Sequence, residues 1–159
     1  MATPKQRATA AAALATAIAV PAEGLRQFAY YDPPGILTVC YGHTGADVVA
    51  KRNYSLDECG ALLTVDMQKA VAQVEACHPG LPVPVLAAFA DAAYNIGPTV
   101  ACNRASSTAA RMLYAGDLGG ACNQLPRWDK ARVLGVMVAL PGLTKRRSLE
   151  RDLCLSGAT

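Results

Sequence analysis

Six cysteines constrain this chain more than any other feature of its sequence. They are spread over most of its length and lie at Cys40, Cys59, Cys77, Cys102, Cys122 and Cys154. No two of them have the C-x-x-C spacing of zinc ribbons and thioredoxin-like sites, and neither histidine lies at metal-ligand spacing from a cysteine. An even number of widely spaced cysteines is typical of three disulfides formed outside a reducing cytosol. Fifteen pairings are possible, and buried free thiols in a cytosolic protein are the alternative.

The composition is that of one globular domain without a strongly charged partner. The chain has 159 residues, of which 52% are hydrophobic, and a net charge of +3. Such a mild positive charge lacks the concentrated basic field of nucleic-acid binders, so we expect no nucleic-acid partner. The sequence contains no Gly-rich phosphate loop, GxSxG elbow or HExxH helix, and we expect neither a cofactor nor a metal.

The first residues have the layout of an export signal. Lys5 and Arg7 precede thirteen residues, 8–20, that contain only Ala, Thr, Leu, Ile and Val. Thirteen residues are short for a transmembrane helix. The segment is therefore a cleaved signal, a weak membrane anchor that later lets go, or the first helix of the domain. We favour a helix that leaves the bilayer easily, with Pro21 ending it or starting the next turn.

A predicted hairpin and a strongly marked helix follow. Residues 28–42 are rich in Tyr, Ile, Val and Thr around a Pro-Pro-Gly turn, which predicts a hairpin, and the following GHTG segment reads as a loop. Ser55 and Glu58 form a capping box at the start of a helix that Cys77 closes.

The C-terminal half reads as further helices. Residues 85–97 are apolar on nearly every side and predict a central helix. Helical segments are also predicted at 106–117, at 119–128 and from Thr144 onward, with Pro141-Gly142 as a break. The apolar segment 130–140 is ambiguous.

Three polar residues around the hairpin are the candidates for chemistry. Glu23 is followed nine residues later by Asp32 and a further six residues later by Thr38. Asp32 and Thr38 would lie on opposite arms of the hairpin, where a carboxylate and a hydroxyl can hold a water molecule between them. Two carboxyl groups in unequal environments, one protonated and one ionised, are what glycoside hydrolysis requires.

The run EGLRQFAYYDPPGILTVCYGHTG, which carries these three residues, resembles the active-site segment of phage-type lysozymes, the endolysins that cut bacterial cell walls. The spacing of the Glu, the Asp and the Thr matches that family without a gap. The later segments AAYNIG, SSTAARMLYAGDLGGACNQLPRW and LPGLTKRRSLERDLCL also resemble the family, so that the likeness covers residues 23–157.

The resemblance implies an α+β, lysozyme-like fold, in which a small β-hairpin or sheet lobe and a larger helical lobe enclose a cleft. The implied substrate is peptidoglycan, cut between N-acetylmuramic acid and N-acetylglucosamine. Glu23 would be the general acid, Asp32 would stay ionised and position water or stabilise the oxocarbenium-like sugar, and Thr38 would help to hold that water.

Further residues gain roles from the same resemblance. Arg146 lies where the family places a basic residue that pairs with the acid, and a surface charge is its alternative. Tyr94 and Asn95 are candidates for lining the cleft and binding sugar N-acetyl groups. His43 is expected to be structural and hydrogen-bonded to a carboxylate such as Asp66. We expect Trp128 to be a core anchor.

Two domains are expected: residues 1–22 as the signal or anchor-release helix, and residues 23–159 as the catalytic domain. The protein would be exported, held briefly at the inner membrane through residues 8–20, and monomeric in the periplasm or outside the cell. The expected disulfides are Cys40–Cys59, Cys77–Cys102 and Cys122–Cys154.

Three rival functions stay open at this point. The first is an inactive wall-binding protein on a lysozyme scaffold, against which the intact Glu23, Asp32 and Thr38 argue. The second is a lytic transglycosylase, which uses an acidic Glu without a water-holding carboxylate. The third is a membrane-disrupting protein whose basic helix kills without catalysis.

Overall fold

An almost wholly apolar helix lies at the centre of the molecule. In this computed structural model, which describes residues 1–159, helix α3 (Val83–Ile96) is buried at every position from Val85 to Ala93. Helices α1 (Pro4–Ala22), α2 (Leu56–Cys77) and α7 (Pro141–Gly157) pack around it. Because most of the buried α3 side chains are alanines, the surrounding helices approach closely, and the predicted central helix is confirmed.

Helix α1 belongs to this helical core. Thr3 caps its start with a full capping box, and Ala11, Ala15 and Ala19 are wholly buried on the face toward the core. The interpretation of Pro21 as the end of the helix is wrong, since Pro21 lies inside the last turn. None of the helices in the structure combines the length and the apolar character that a bilayer crossing requires.

The small lobe is a three-stranded antiparallel sheet. Strands β1 (Arg26–Tyr31) and β2 (Leu37–Cys40) form the predicted hairpin, and Gly35 provides a positive φ of 84° in its turn. The expected loop at GHTG is wrong in part, because His43–Thr44 pairs with β2 as β3. This short third strand fixes the hairpin from one side.

Three disulfides join the lobes and helices, and they are the pairs expected from the sequence. Cys40–Cys59 ties β2 to the first turn of α2, Cys77–Cys102 joins the end of α2 to α4 (Thr99–Cys102), and Cys122–Cys154 joins α6 (Leu118–Gln124) to α7. Their Cα–Cα distances are 5.0, 5.7 and 5.5 Å, within the usual range for disulfides. Each cross-link stabilises the fold by roughly 2–4 kcal/mol through loop closure.

Short helices follow α3 and pack in turn against one another and against α7. Ser107 caps α5 (Thr108–Tyr114), in agreement with the predicted cap at Ser106 or Ser107. The predicted helix at 119–128 is two elements, because a 3₁₀ turn over Leu125–Trp128 follows α6 and accommodates Pro126. Trp128 packs against the helical core with its ring partly buried.

The ambiguous apolar segment is a second hairpin, in which β4 (Lys130–Val133) pairs with β5 (Val136–Ala139). Pro141 ends this apolar segment as expected, but the predicted helix start at Thr144 is wrong, since α7 begins at Pro141. Proline fits the first position of a helix, where no amide donor is required. This shift places the two arginines at 146 and 147 on the second turn of α7, facing α3.

Candidate active site

Glu23 lies at the C-terminal end of α1, where the core helix meets the sheet lobe. It is the C-cap residue, and its backbone amide donates to the carbonyl of Ala19 at 2.8 Å. Its side chain is 24% exposed, and Oε1 accepts a hydrogen bond of 2.6 Å from Nη1 of Arg146. Its other oxygen, Oε2, has no protein partner. The helix end and the arginine therefore fix the carboxyl group while one oxygen stays available.

Asp32 and Thr38 meet at the backbone of one residue, Ile36, in the turn of the first hairpin. Oδ1 of Asp32 accepts from the Ile36 amide at 2.7 Å, and the Thr38 hydroxyl donates to the Ile36 carbonyl at 3.0 Å. Thr38 is 4% exposed. Because the hydroxyl hydrogen is already used, Thr38 presents only lone pairs to further partners, and Asp32 keeps one carboxylate oxygen without a protein donor.

A buried ion pair holds Arg146 in place. Nε and Nη2 of Arg146 donate to the two oxygens of Asp91 at 2.9 and 2.7 Å, and both side chains are nearly inaccessible. Burial alone would lower the pKa of Arg146, but the hydrogen bonds and charges of Asp91 and Glu23 raise it above its ordinary value. Asp91 thus balances the guanidinium charge by a bidentate contact, while Glu23 receives a single hydrogen bond.

A second arginine stands behind the first. Arg147 is fully buried and donates to Glu150, to the amide oxygen of Asn95 and, at 3.1 Å, to the carbonyl of Trp128. Burial and the negative charge of Asp91 raise the pKa of Glu150 well above its ordinary value, although Arg147 opposes this shift. One oxygen of Glu150 has no hydrogen-bond partner.

Tyr94 joins the two lobes. Its hydroxyl donates to the carbonyl of Tyr41 in the sheet lobe, and burial together with the negative charges of Glu23 and Asp66 raises the Tyr94 pKa. Tyr94 also lines a cleft of about 290 Å³ between the lobes. The cleft is lined in addition by residues of β3, α2 and α3, among them Thr44, Asp66, Lys69 and Gln73.

Tyr94 is the one predicted site residue that lines this cleft, since its lining includes none of Glu23, Asp32, Thr38, Arg146 and Asn95. Asn95 follows Tyr94 in α3, but its amide oxygen is bound to Arg147, which places it in the support of the buried charges. The expectation for His43 is confirmed, because its ring bridges Asp66 at 2.7 Å and Asp47 at 3.1 Å. Burial would lower the His43 pKa, but the two carboxylates together raise it.

Sequence reasoning missed Asp91 and Glu150, the two carboxyl groups that organise the arginines. The signal for Asp91 was visible, because it is the one charged residue in the apolar run 85–97. A charged residue in a buried helix has to be paired. Glu150 gave no such signal, because its segment is charged throughout.

Comparison with known proteins identifies the family of this chain. The Phage lysozyme family model matches residues 20–150. The SAR-endolysin of Bacteriophage PS119 is 40% identical over 136 residues, which cover 85% of this chain and 77% of that protein. The SAR-endolysin of Enterobacteria phage P21 is 37% identical over 136 residues, which cover 85% and 78%.

A solved structure supports the same assignment. The muramidase domain of SpmX from Asticaccaulis excentricus superposes with a TM-score of 0.76 at 27% identity, over 92% of this chain and 95% of that chain. The lysozyme-like α+β fold expected from the sequence is thereby confirmed. Family model, relatives and fold agree, and the chain belongs to the phage lysozyme family.

Proposed function

We propose that this phage lysozyme cleaves peptidoglycan with Glu23 as its general acid. Family membership gives the reaction: hydrolysis of the β-1,4 bond between N-acetylmuramic acid and N-acetylglucosamine, by a glycoside hydrolase that acts as an endolysin in host lysis. The observation that carries the assignment is the state of the Glu23 carboxyl group, with Oε1 held by Arg146 and Oε2 without a partner. A proton on Oε2 can pass to the glycosidic oxygen as the bond to the leaving sugar breaks.

Asp32 and Thr38 supply the other half of the reaction. In this proposal a water molecule donates one hydrogen to the available oxygen of Asp32 and the other to the Thr38 hydroxyl, whose own hydrogen is bound to Ile36. That orientation leaves the lone pairs of the water free to attack the sugar. The ionised Asp32 also stabilises the positive charge that develops on the sugar ring.

Arg146 alone would hinder proton donation by Glu23, and Asp91 offsets this effect. An arginine beside the acid favours the ionised carboxylate, which cannot donate a proton. Here Asp91 holds the same guanidinium by two bonds and neutralises it. Arg146 then orients Glu23 by one hydrogen bond, which either protonation state of Glu23 accepts at Oε1. In this mechanism Asp91 is a positioning residue, Asn95 supports the arginine pair through Arg147, and Tyr94 is the candidate contact for the sugar.

The relatives named SAR-endolysins support a proposal about location. Residues 1–22 would carry the chain across the inner membrane and hold it there briefly through residues 8–20, before the chain is released as a monomer into the periplasm. In the fold described above the same segment is packed on the helical core. Release would therefore add α1 to the domain and bring Glu23 to its place at the end of that helix.

Glu23→Gln tests the catalytic proposal. The amide keeps the size of the side chain but cannot supply the proton, so clearing of purified cell walls falls about 10²–10⁴-fold. Equal clearing by both forms would refute the role of Glu23. If the wild type binds cell walls but does not clear them, the inactive wall-binding protein is favoured. If mass spectrometry detects anhydro-sugar products, a transglycosylase is favoured.

Asp91→Asn tests the balancing of Arg146. Loss of the negative charge leaves Arg146 to act on Glu23 alone, which favours the ionised acid. We therefore expect the alkaline limb of the pH–activity profile to move to lower pH. Asp152→Asn, an exchange on the exposed face of α7, is the matched control and leaves the profile in place. An Asp91→Asn profile that is lowered at every pH but not displaced would mean that Asp91 serves folding only.

A further inference from the structure

The second hairpin, residues 130–139, exposes aliphatic side chains on an element that nothing in the fold covers. Its exposed large residues are Val133, Leu134, Val136, Met137 and Val138. Leu134, at the tip, is 99% exposed. Scattered apolar residues are normal on a protein surface, but a contiguous group of this kind marks an interaction site.

The register of the hairpin sorts its residues onto two unlike faces. The cross-strand pairs Ala131–Val138 and Val133–Val136 make one face entirely aliphatic. The opposite face carries the pairs Lys130–Ala139 and Arg132–Met137. Residues 130–139 thus contain two cations on one face and no anion, while Asp129, directly before the hairpin, pairs with Lys130.

The turn at the tip of this hairpin contains a leucine where the backbone conformation favours other residues. Leu134 and Gly135 both have positive φ, of 48° and 83°, in a two-residue turn that favours Asn-Gly or Asp-Gly. A leucine in this conformation costs about 1–2 kcal/mol, and its exposure to water adds to that cost. An outlier of this kind points to a function that the isolated fold does not reveal.

Two classes of occupant fit poorly. The hairpin contains no aromatic residue and no side-chain amide, so it lacks the groups that stack on or hydrogen-bond to a glycan. Its ten residues are also fewer than the roughly 20–30 a side of a standard protein–protein interface, so a second copy of the chain would not be held stably.

We propose that the 130–139 hairpin docks on the surface of an anionic phospholipid bilayer. Leu134 and the aliphatic face enter the boundary between headgroups and acyl chains, which accepts apolar side chains without a complementary pocket. Arg132 stays at the level of the headgroups, where its charge matches anionic lipid, whereas Lys130 is paired with Asp129. Arg132 is free for this contact, because within the protein it binds only the Gly135 carbonyl.

This site is distinct from the N-terminal segment. Residues 8–20 lie within α1 and are packed on the core in the folded enzyme, whereas the hairpin is exposed in that same fold. It lies directly before α7, the helix that carries Arg146. The folded, released enzyme would therefore keep a reversible contact with the membrane beside which it works.

The test is flotation of the full disulfide-bonded chain with vesicles of phosphatidylglycerol and phosphatidylethanolamine. We expect the wild type to bind, Leu134→Asn to bind at least roughly tenfold more weakly, and Val136→Thr to bind more weakly than wild type. Val49→Thr, the same exchange at a valine of similar exposure outside the hairpin, should bind like the wild type. Arg132→Gln should lose about fivefold on these vesicles and nothing on phosphatidylcholine alone.

Three results would overturn the proposal. They are absence of wild-type binding, equal binding by wild type and Leu134→Asn, and a wild-type dimer in sedimentation that Leu134→Asn abolishes. Thermal unfolding of each variant accompanies the assay, because an unchanged or raised midpoint assigns any loss of binding to the surface. All variants retain α1, so binding that comes from residues 8–20 would appear as equal flotation and would count against the hairpin.

Discussion

The molecule contains two β-hairpins of similar length that differ in almost everything that surrounds them. The first, β1–β2, is joined to α2 by the Cys40–Cys59 disulfide and to a third strand, which the His43–Asp66 contact holds to α2. The second, β4–β5, is a two-stranded sheet held at its base by Asp129, which binds Lys130 and Thr144. A hairpin alone is marginally stable, so each depends on what backs it.

The difference follows the work proposed for each. Asp32 and Thr38 have to hold a water molecule within a few tenths of an ångström, and a rigid, cross-linked hairpin provides that precision. Contact with a fluid lipid surface requires no such precision, and a hairpin anchored only at its base is sufficient. The turns agree with this view, because Asp32 and Gly35 satisfy the first turn, whereas Leu134 strains the second.

The largest expected effect is a loss of wall-clearing activity when the first hairpin is altered, with no such loss for the second. Asp32→Asn keeps an oxygen that can accept from the Ile36 amide, so the turn persists, but the charge opposite the developing cation is lost. We expect wall-clearing activity to fall roughly 10²-fold or more, with an unchanged midpoint of thermal unfolding.

Asp129→Asn is the matched control at the base of the second hairpin. It removes a surface ion pair and should leave activity within about twofold. Equal losses in the two variants, or a loss below tenfold in Asp32→Asn, would erase the functional contrast between the hairpins.

The next effect concerns stability and pH. The pKa of His43 is raised above its ordinary value of 6.5, so the folded state binds the proton more tightly than the unfolded state. The resulting stabilisation is fully present below pH 6.5 and is lost as the pH rises through the folded-state pKa. His43→Gln should therefore cost about 1.5–3 kcal/mol at pH 5.5 and less at pH 9, as measured by urea unfolding.

Arg132→Gln provides the comparison for that measurement. Within the protein the Arg132 side chain makes only one hydrogen bond, and that bond is exposed. The exchange should therefore change the free energy of unfolding by less than about 0.5 kcal/mol at both pH values. A pH-independent cost for His43→Gln would mean that the ring supports β3 by packing and not by charge.

The sequence predicted the first hairpin and not the second, and the reason is local. Residues 28–42 contain a Pro-Pro-Gly turn, β-branched residues and tyrosines, so that turn chemistry and strand propensity agree. Segment 130–140 is apolar with one glycine, and its turn residue Leu134 contradicts the conformation that it adopts. An apolar run without a turn signal does not distinguish a strand from a buried helix.

The candidate site likewise contains residues that the sequence predicted and residues that it did not. The spacing of Glu23, Asp32 and Thr38 within one segment allowed them to be found together, and Arg146 followed from the resemblance to the family. Asp91 lies 55 residues from Arg146 in the chain, so only the folded structure brings it to the guanidinium. Which of the carboxyl groups around two buried arginines carries a proton depends on burial, and the pattern of residues does not reveal it.

The smallest expected effect is a gain in stability at the tip of the second hairpin. Leu134→Asn places a residue that tolerates positive φ where leucine is strained, and should raise the free energy of unfolding by about 0.5–1 kcal/mol. Val136→Thr, two residues further along the chain at the start of β5, relieves no such strain and should give no gain. A loss of stability in Leu134→Asn would show that the tip packs against the protein in solution, which would remove the contrast with the first hairpin. If Leu134→Asn raises the free energy of unfolding and also weakens vesicle binding, then the leucine side chain destabilises the turn and binds the bilayer. Membrane binding would then account for a residue that the turn itself disfavours.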